Sequence, residues 1–134
     1  MMLTHTGRRT GTTYHTVLEV VDYQARGPTV TVMSGFGHAA DWLKNIAASP
    51  PAVVTIGRRR FVADHHLLDV DEAAAVLQSY ERRNRFLGAI VRKVLSVLVG
   101  WPYHGTDEER RRVVTELPLV RFAPAGEGTP LAPP

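Results

Sequence analysis

Five short runs rich in β-branched and aromatic residues constrain this chain more than any other feature. They read LTHT, YHTVLEVVDY, TVTVMS, AVVTIG and RFVADHHLLDV, and all fall between residues 3 and 70. Each suits an extended, half-buried backbone. Several connections between them are tight: Gly7 to Gly11 after the first run, QARGP after the second, Gly57-Arg58 after the fourth. Such short links join antiparallel neighbours, because a parallel crossover needs a dozen residues or more. One helix interrupts the series. In HAADWLKNIAAS, Leu43, Ile46 and Ala47 supply an apolar stripe, and Pro50-Pro51 cannot continue its hydrogen-bond ladder.

Beyond residue 70 the period changes. Asp69 with Glu72 forms a capping-box pattern, and Ala73, Val76 or Leu77, Tyr80, Leu87, Val91, Val94 and Leu98 recur at helical spacing up to Val99. That run exceeds a typical single helix, so a break is expected at Asn84 or Gly88. Thr106 and Glu109 repeat the capping pattern, Pro118 ends the helix they open, and LVRFAP supplies a closing strand. The expected architecture is mainly antiparallel β with flanking helices, an α+β chain closed as a small barrel rather than a doubly wound sheet. Residues 3–124 read as one domain and 125–134 as a flexible C-terminal tail.

With 134 residues, 44 % hydrophobic and 22 % charged, the chain can build one core but not two ordinary domains. It has no cysteine, which excludes disulfides, thiolate nucleophiles and cysteine-ligated metals. The start MMLTHTGRR lacks the apolar run of a secretory signal, so a cytoplasmic location is expected. The oiliest stretch, FLGAIVRKVLSVLVG, carries Arg92 and Lys93 and is too short for a normal transmembrane segment. As an amphipathic helix it could serve the core, a homodimer interface or a peripheral membrane contact. The net charge of +3 suits an anionic partner. No nucleic-acid fingerprint accompanies the scattered arginines, so no nucleic-acid partner is expected.

Three constellations could carry chemistry. In TGRRTG, exposed backbone amides, the Thr6 and Thr10 hydroxyls and the Arg8 and Arg9 guanidinium groups could wrap phosphate oxygens. Chemistry alone leaves a solvated basic turn as the other reading. In SGFGHAADW, Gly37 lets the chain bend before a helix whose first amides favour an anion, while Phe36 and Trp42 could stack on a flat ring. A core Trp42 and a plain turn at Gly37 serve equally well there. The six histidines form no metal-binding pattern, and His65 and His66 fall on opposite faces of one strand, so no metal is expected. No nucleophile elbow or paired carboxylates suggest a catalytic side chain, so an enzyme of this kind would rely on a cofactor for its difficult chemistry.

Taken together, LTHTGRRTGTTYHTVL, VTVMSGFGHAADWLKNIAASPPAVVTIGRRR and TDEERRRVVTELPLVRFAP resemble, in order, the deazaflavin-dependent nitroreductase family, within the flavin-binding split β-barrel group. The likeness covers roughly residues 3–124. It implies a split β-barrel of the FMN-binding type that holds coenzyme F420, an 8-hydroxy-5-deazaflavin with a phosphate and an oligoglutamate tail, in preference to FMN or FAD. It also implies hydride transfer from the reduced coenzyme to a small-molecule electron acceptor: a quinone, a nitroaromatic or another conjugated compound. The alternative is a non-catalytic carrier of flavin, tetrapyrrole or lipid in the same pocket.

By the same resemblance, Arg8, Arg9, Thr10 and Gly11 meet the phosphate, and Ser34, Gly35, Phe36 and Gly37 form a loop beside phosphate and ring. Trp42 and Asn45 build the helix that braces this loop, while His15 and Thr16 approach the ring. Two departures stand out. The loop reads SGFGH where better-known members carry a lysine after the serine, and Tyr103 is the nearest phenol left to match the family's tyrosine-rich region.

Overall fold

A computed structural model describes residues 1–126. β1 (Met2–Thr6) and β2 (Thr13–Val17) form the first hairpin, β3 (Val20–Gln24) and β4 (Thr29–Met33) the second. A 3-10 turn (Gly37–Ala39) leads into α1 (Asp41–Ala48), and β5 (Ala52–Ile56) with β6 (Arg59–Leu67) makes the third hairpin. Then come α2 (Val70–Arg83), a 3-10 turn (Arg85–Leu87), α3 (Gly88–Val99), α4 (Asp107–Glu116) and β7 (Leu119–Pro124). Of the expected tail 125–134, residues 127–134 lie outside the described residues.

The seven strands form one sheet in the order β2-β1-β5-β6-β7-β4-β3, and every pairing is antiparallel. β2 and β3 therefore lie at opposite edges, although only Leu18 and Glu19 separate them in the chain. In a flat sheet those edges would stand about 29 Å apart, at ~4.8 Å per gap. A link of two residues reaches only about 10 Å. The sheet must therefore curl until its edges approach, and since β2 and β3 form no ladder, the result is a split barrel. The run YHTVLEVVDY, expected as one strand, is thus two. It breaks at Leu18, whose N–H donates to the Met1 carbonyl at 2.9 Å while the chain crosses between edges.

Two apolar clusters fill the two sides of the sheet. Leu3, Val30, Val32, Val54, Phe61 and Phe122 meet Trp42 and Ile46 of α1 on one side. Leu77, Leu95, Val113, Leu117 and Leu119 join α2, α3 and α4 to the other. Of the expected stripe on α1, Ile46 is buried and Leu43 packs half-buried on the core, whereas Ala47 is exposed, and Trp42 and Asn45 complete the inward face. A polar residue occupies that face because three groups of β1 and its loop meet it there.

The helix signals act locally as expected. Asp69 accepts from the Glu72 N–H at 2.8 Å, and Thr106 and Glu109 form a reciprocal capping box. Both candidate break points are used. Asn84 caps α2, its Nδ2 donating to the Tyr80 carbonyl at 2.8 Å, and Gly88 opens α3. Among the described residues, no helix is long and apolar enough to cross a membrane.

Candidate functional site

The loop 7–12 is held by its own backbone. The Gly7 N–H donates to the Thr12 carbonyl at 2.7 Å, and the Gly11 N–H to the Gly7 carbonyl at 2.9 Å. Gly11 adopts a φ of 73°, a region open to glycine, whereas Gly7 leaves room for Tyr14: a Cβ there would stand 2.8 Å from the Tyr14 ring. The Thr10 hydroxyl donates to Thr12 Oγ1 at 2.9 Å and accepts from the Thr12 N–H.

One hydrogen-bonded chain ties this loop to α1 and to both strands of the hairpin. Asn45 Oδ1 accepts from the Arg8 N–H at 3.1 Å and from the Arg8 guanidinium at 2.7 Å. Its amide is left to donate, and does so to His5 Nδ1 at 3.2 Å. That fixes the tautomer: the proton sits on Nε2 of His5, which donates to Thr16 Oγ1 at 2.8 Å. Burial, with a smaller contribution from the charge of His15, holds the His5 imidazole below its ordinary value of 6.5. The Tyr14 ring stacks on His5 with centroids 5.8 Å apart, and a second Arg8 nitrogen reaches Asp41 at 3.3 Å.

Above this chain lies a groove of about 600 Å³. Arg8, Arg9, Thr10, His15 and Thr16 line it from the hairpin, Phe36 from the 34–37 loop, and Trp42 and Asn45 from α1. Eight of the expected site residues are thereby brought together. Two arginines that look alike in sequence differ here. Arg8 is engaged by Asn45 and Asp41, whereas Arg9 is exposed and makes no hydrogen bond or ion pair among the described residues. Ala40 and Asp41 also line the groove, which places the start of α1 against it, and no side chain caps that start. The amides of a helix start favour an anion.

A second groove of about 560 Å³ adjoins the first and shares Thr16, Phe36 and Trp42 with it. Its walls are largely apolar: Leu18, Val21, Met33 and Leu77, with Leu87, Ile90, Val91, Val94 and Leu98 contributed by α3 and the turn before it, and Glu19 the one charged residue among them. Gly35 belongs here, not to the basic groove; a Cβ on it would stand 3.8 Å from Leu98. Phe36 stands 88 % exposed at the junction.

The remaining expected residues line neither groove. Ser34 is fully buried and its hydroxyl donates to the Gly37 carbonyl at 2.6 Å, so it shapes the 34–37 loop from within. Gly37 and Gly11 sit at turns, each with a φ of 73°. Tyr103 is buried among α2, α3 and α4, and its hydroxyl donates to Glu81. His5, Tyr14 and Asp41 line the basic groove without having been singled out from sequence as binding residues. The pairing of His5 with Tyr14 follows from counting back from the hairpin loop, a signal that was present. The apolar wall from α3 carries no such local mark.

A family model described as F420H(2)-dependent quinone reductase matches residues 1–88. The fold is similar to that of a solved structure of an F420-H2 dependent reductase, FDR-A, with a TM-score of 0.53, 14 % sequence identity and 90 % of each chain covered. No curated protein matches the chain. The family match runs from β1 through α2, so it takes in the hairpin loop, the 34–37 loop and α1 together, and the chain belongs to the F420H(2)-dependent quinone reductase family.

Proposed function

We propose that this chain is an oxidoreductase that transfers hydride from reduced coenzyme F420 to a quinone or a similar conjugated acceptor. The observation that carries the reading is the wall shared by the two grooves: at Thr16, Phe36 and Trp42 a basic, hydrogen-bonding channel runs into an apolar one. A deazaflavin with an anionic tail needs a basic surface for the tail and a fitted wall for its ring, and its partner in hydride transfer must lie against that ring.

The residues present fit such a coenzyme. Arg9 is the cation left free for phosphate or glutamate oxygens, with the uncapped start of α1 on the same groove. Arg8 serves differently: by holding Asn45 and Asp41 it sets the loop's position and offsets the Asp41 charge near an anionic ligand. The ring falls to the shared stretch by Thr16 and Phe36, and the acceptor to the apolar groove beyond. When bound, the reduced deazaflavin supplies the hydride itself. The protein's own work is to orient the two planar partners and to exclude water with the side chains of α3.

Fluorescence titration with coenzyme F420 and with FMN tests the reading, followed by oxidation of the reduced coenzyme on adding a quinone or a nitroaromatic. Tight binding of F420 over FMN and acceptor-dependent oxidation are expected. Failure to bind F420 overturns the assignment, and binding without turnover returns the pocket to the carrier reading.

A further inference from the structure

We infer that a basic recess, on the other side of α3 from the apolar groove, is a second anion site that takes a small phosphate-bearing anion such as pyrophosphate. The recess, of about 270 Å³, lies where the end of α2 and the 3-10 turn after it meet α3 and α4. Arg82, Arg85, Arg92 and Arg110 line it, against one carboxylate, that of Glu81. Residues 82–100 contain no aspartate or glutamate. Arg92 stands two residues from both Ile90 and Val94, roughly 200° around the helix, so it faces away from the groove those two line.

The four guanidinium groups are not alike. Arg110 is almost fully buried and already engaged: it donates to Glu81 at 3.3 and 3.0 Å, to Asp107 at 2.7 Å and to the Gly105 carbonyl at 2.9 Å. Glu81, which also accepts from Tyr103, thus has its charge offset from within. Arg82, Arg85 and Arg92 are exposed and make no ion pair among the described residues; Arg85 lies over the Phe86 ring, 5.0 Å from its centroid. Three such groups around one concavity repel each other until an anion lies between them, and their planar forks match phosphate oxygens. The dipole of α2 accounts for a cation in its last turn, such as Arg82. It does not account for Arg92, in the first half of α3. Gly88 supplies the shape. Its φ of −54° and ψ of −41° are ordinary helix, where alanine is the better residue. A Cβ on it would stand 3.1 Å from an Arg92 guanidinium nitrogen. The missing side chain lets Arg92 fold back along α3 over the recess.

Size narrows the ligand. The recess is smaller than the pockets of about 300–1,000 Å³ that hold drug-sized ligands, so a compact, highly charged anion suits it. Val91 lines both this recess and the apolar groove. An anion that joins the end of α2 to α3 would therefore steady a wall of that groove. The site rests on the recess alone. Only this consequence for the acceptor rests on the function proposed above.

Isothermal titration calorimetry of the full chain with pyrophosphate, in metal-free buffer at fixed ionic strength, tests the site. Saturable binding is expected at or below about 1 mM, with acetate giving none. Arg85→Gln and Arg92→Gln each remove an exposed cation without an ionic partner. Each should weaken pyrophosphate binding about tenfold, the scale of one charge-assisted hydrogen bond, with circular dichroism and coenzyme F420 affinity unchanged. Gly88→Ala should weaken it several-fold without loss of helix, by displacing the Arg92 guanidinium. Arg9→Ala separates this site from the coenzyme groove, and pyrophosphate binding should survive it. Absence of saturable binding, or acetate binding as tight as that of pyrophosphate, overturns the proposal. So does binding that Arg9→Ala abolishes and Arg92→Gln spares, which would put the anion in the coenzyme groove. So does a loss of coenzyme affinity in Arg92→Gln, which would make the recess an extension of that groove. The titration contains neither coenzyme nor acceptor, so its failure is distinct from a failure of hydride transfer.

Discussion

Arg8 donates twice to a single oxygen, Oδ1 of Asn45, through its backbone N–H at 3.1 Å and its guanidinium at 2.7 Å. The contact joins residues far apart in the chain, and Asn45 is buried when it makes it. A buried amide that spends both ends on protein is a positioning device. The two adjacent arginines therefore divide the work: one holds the loop, the other is left for a ligand.

That division predicts opposite profiles for two substitutions. Asn45→Ala leaves the Arg8 guanidinium with Asp41 alone and takes the acceptor from the Arg8 N–H and the donor from His5 Nδ1, so it should cost about 2 kcal/mol of stability and weaken coenzyme binding as well. Arg9→Ala removes an exposed side chain with no protein partner, so stability should stay within about 0.5 kcal/mol of the wild type. Coenzyme affinity should nevertheless drop about tenfold or more, the scale of one charge-assisted hydrogen bond. Urea denaturation and fluorescence titration separate the two. Unchanged affinity in Arg9→Ala would remove that residue from the site.

The buried imidazole of His5 should make stability depend on pH. Its folded value lies below 6.5, chiefly through burial, so the unfolded chain binds more protons than the native one in the interval below 6.5. The contribution is therefore complete above about 6.5 and is lost as pH falls toward the folded value. Urea midpoints across that range should fall with acidification, and His5→Gln should flatten the slope. A wild-type profile level from neutrality downward through this interval would show that the site stays intact with His5 charged.

Much of this arrangement is legible locally. The turn glycines, Asp69, Thr106 with Glu109, and Asn84 with Gly88 act through neighbours a few residues away, so their spacing announces them. The split between β2 and β3 is not legible, because YHTVLEVVDY contains no turn residue. The barrel's closure decides that Leu18 and Glu19 must bridge its edges. Nor does the sequence mark Asn45 as buried: an asparagine faces inward on α1 only because Arg8 and His5 arrive from β1 and its loop. Nor does any local spacing announce that the Ser34 hydroxyl closes on the Gly37 carbonyl.

Tyr103 illustrates the same limit, and its role can be tested. Its hydroxyl donates to Glu81, which also receives Arg110 at 3.0 Å, with Arg110 itself almost fully buried. Burial, reinforced by the hydrogen bond and charge of Glu81, pushes the phenol above its ordinary value of 10. This is a brace between α2 and α4. Glu81→Ala leaves a buried guanidinium with only Asp107 as its ionic partner and should cost about 3 kcal/mol. Tyr103→Phe leaves that pair intact and should cost about 1 kcal/mol, with kcat and coenzyme affinity unchanged. A large fall in kcat for a well-folded Tyr103→Phe would instead put the phenol in the reaction.

The apolar groove can be narrowed without touching the basic one. Gly35 is not in a left-handed conformation, and its missing Cβ would stand 3.8 and 3.9 Å from the two Leu98 methyl carbons, an ordinary contact. Gly35→Val is therefore tolerated by the backbone, but its branches project into space that an acceptor would fill. The KM for a bulky quinone should rise about tenfold, the scale of a methyl-sized misfit in an apolar pocket, while a small nitroaromatic is less affected. Coenzyme affinity should not change, because Gly35 does not line the groove of Arg9. Steady-state kinetics with acceptors of graded size, alongside coenzyme titration, check this. Equal KM values for large and small acceptors would move the acceptor out of this groove. A loss of coenzyme affinity with acceptor KM unchanged would place the deazaflavin ring there instead.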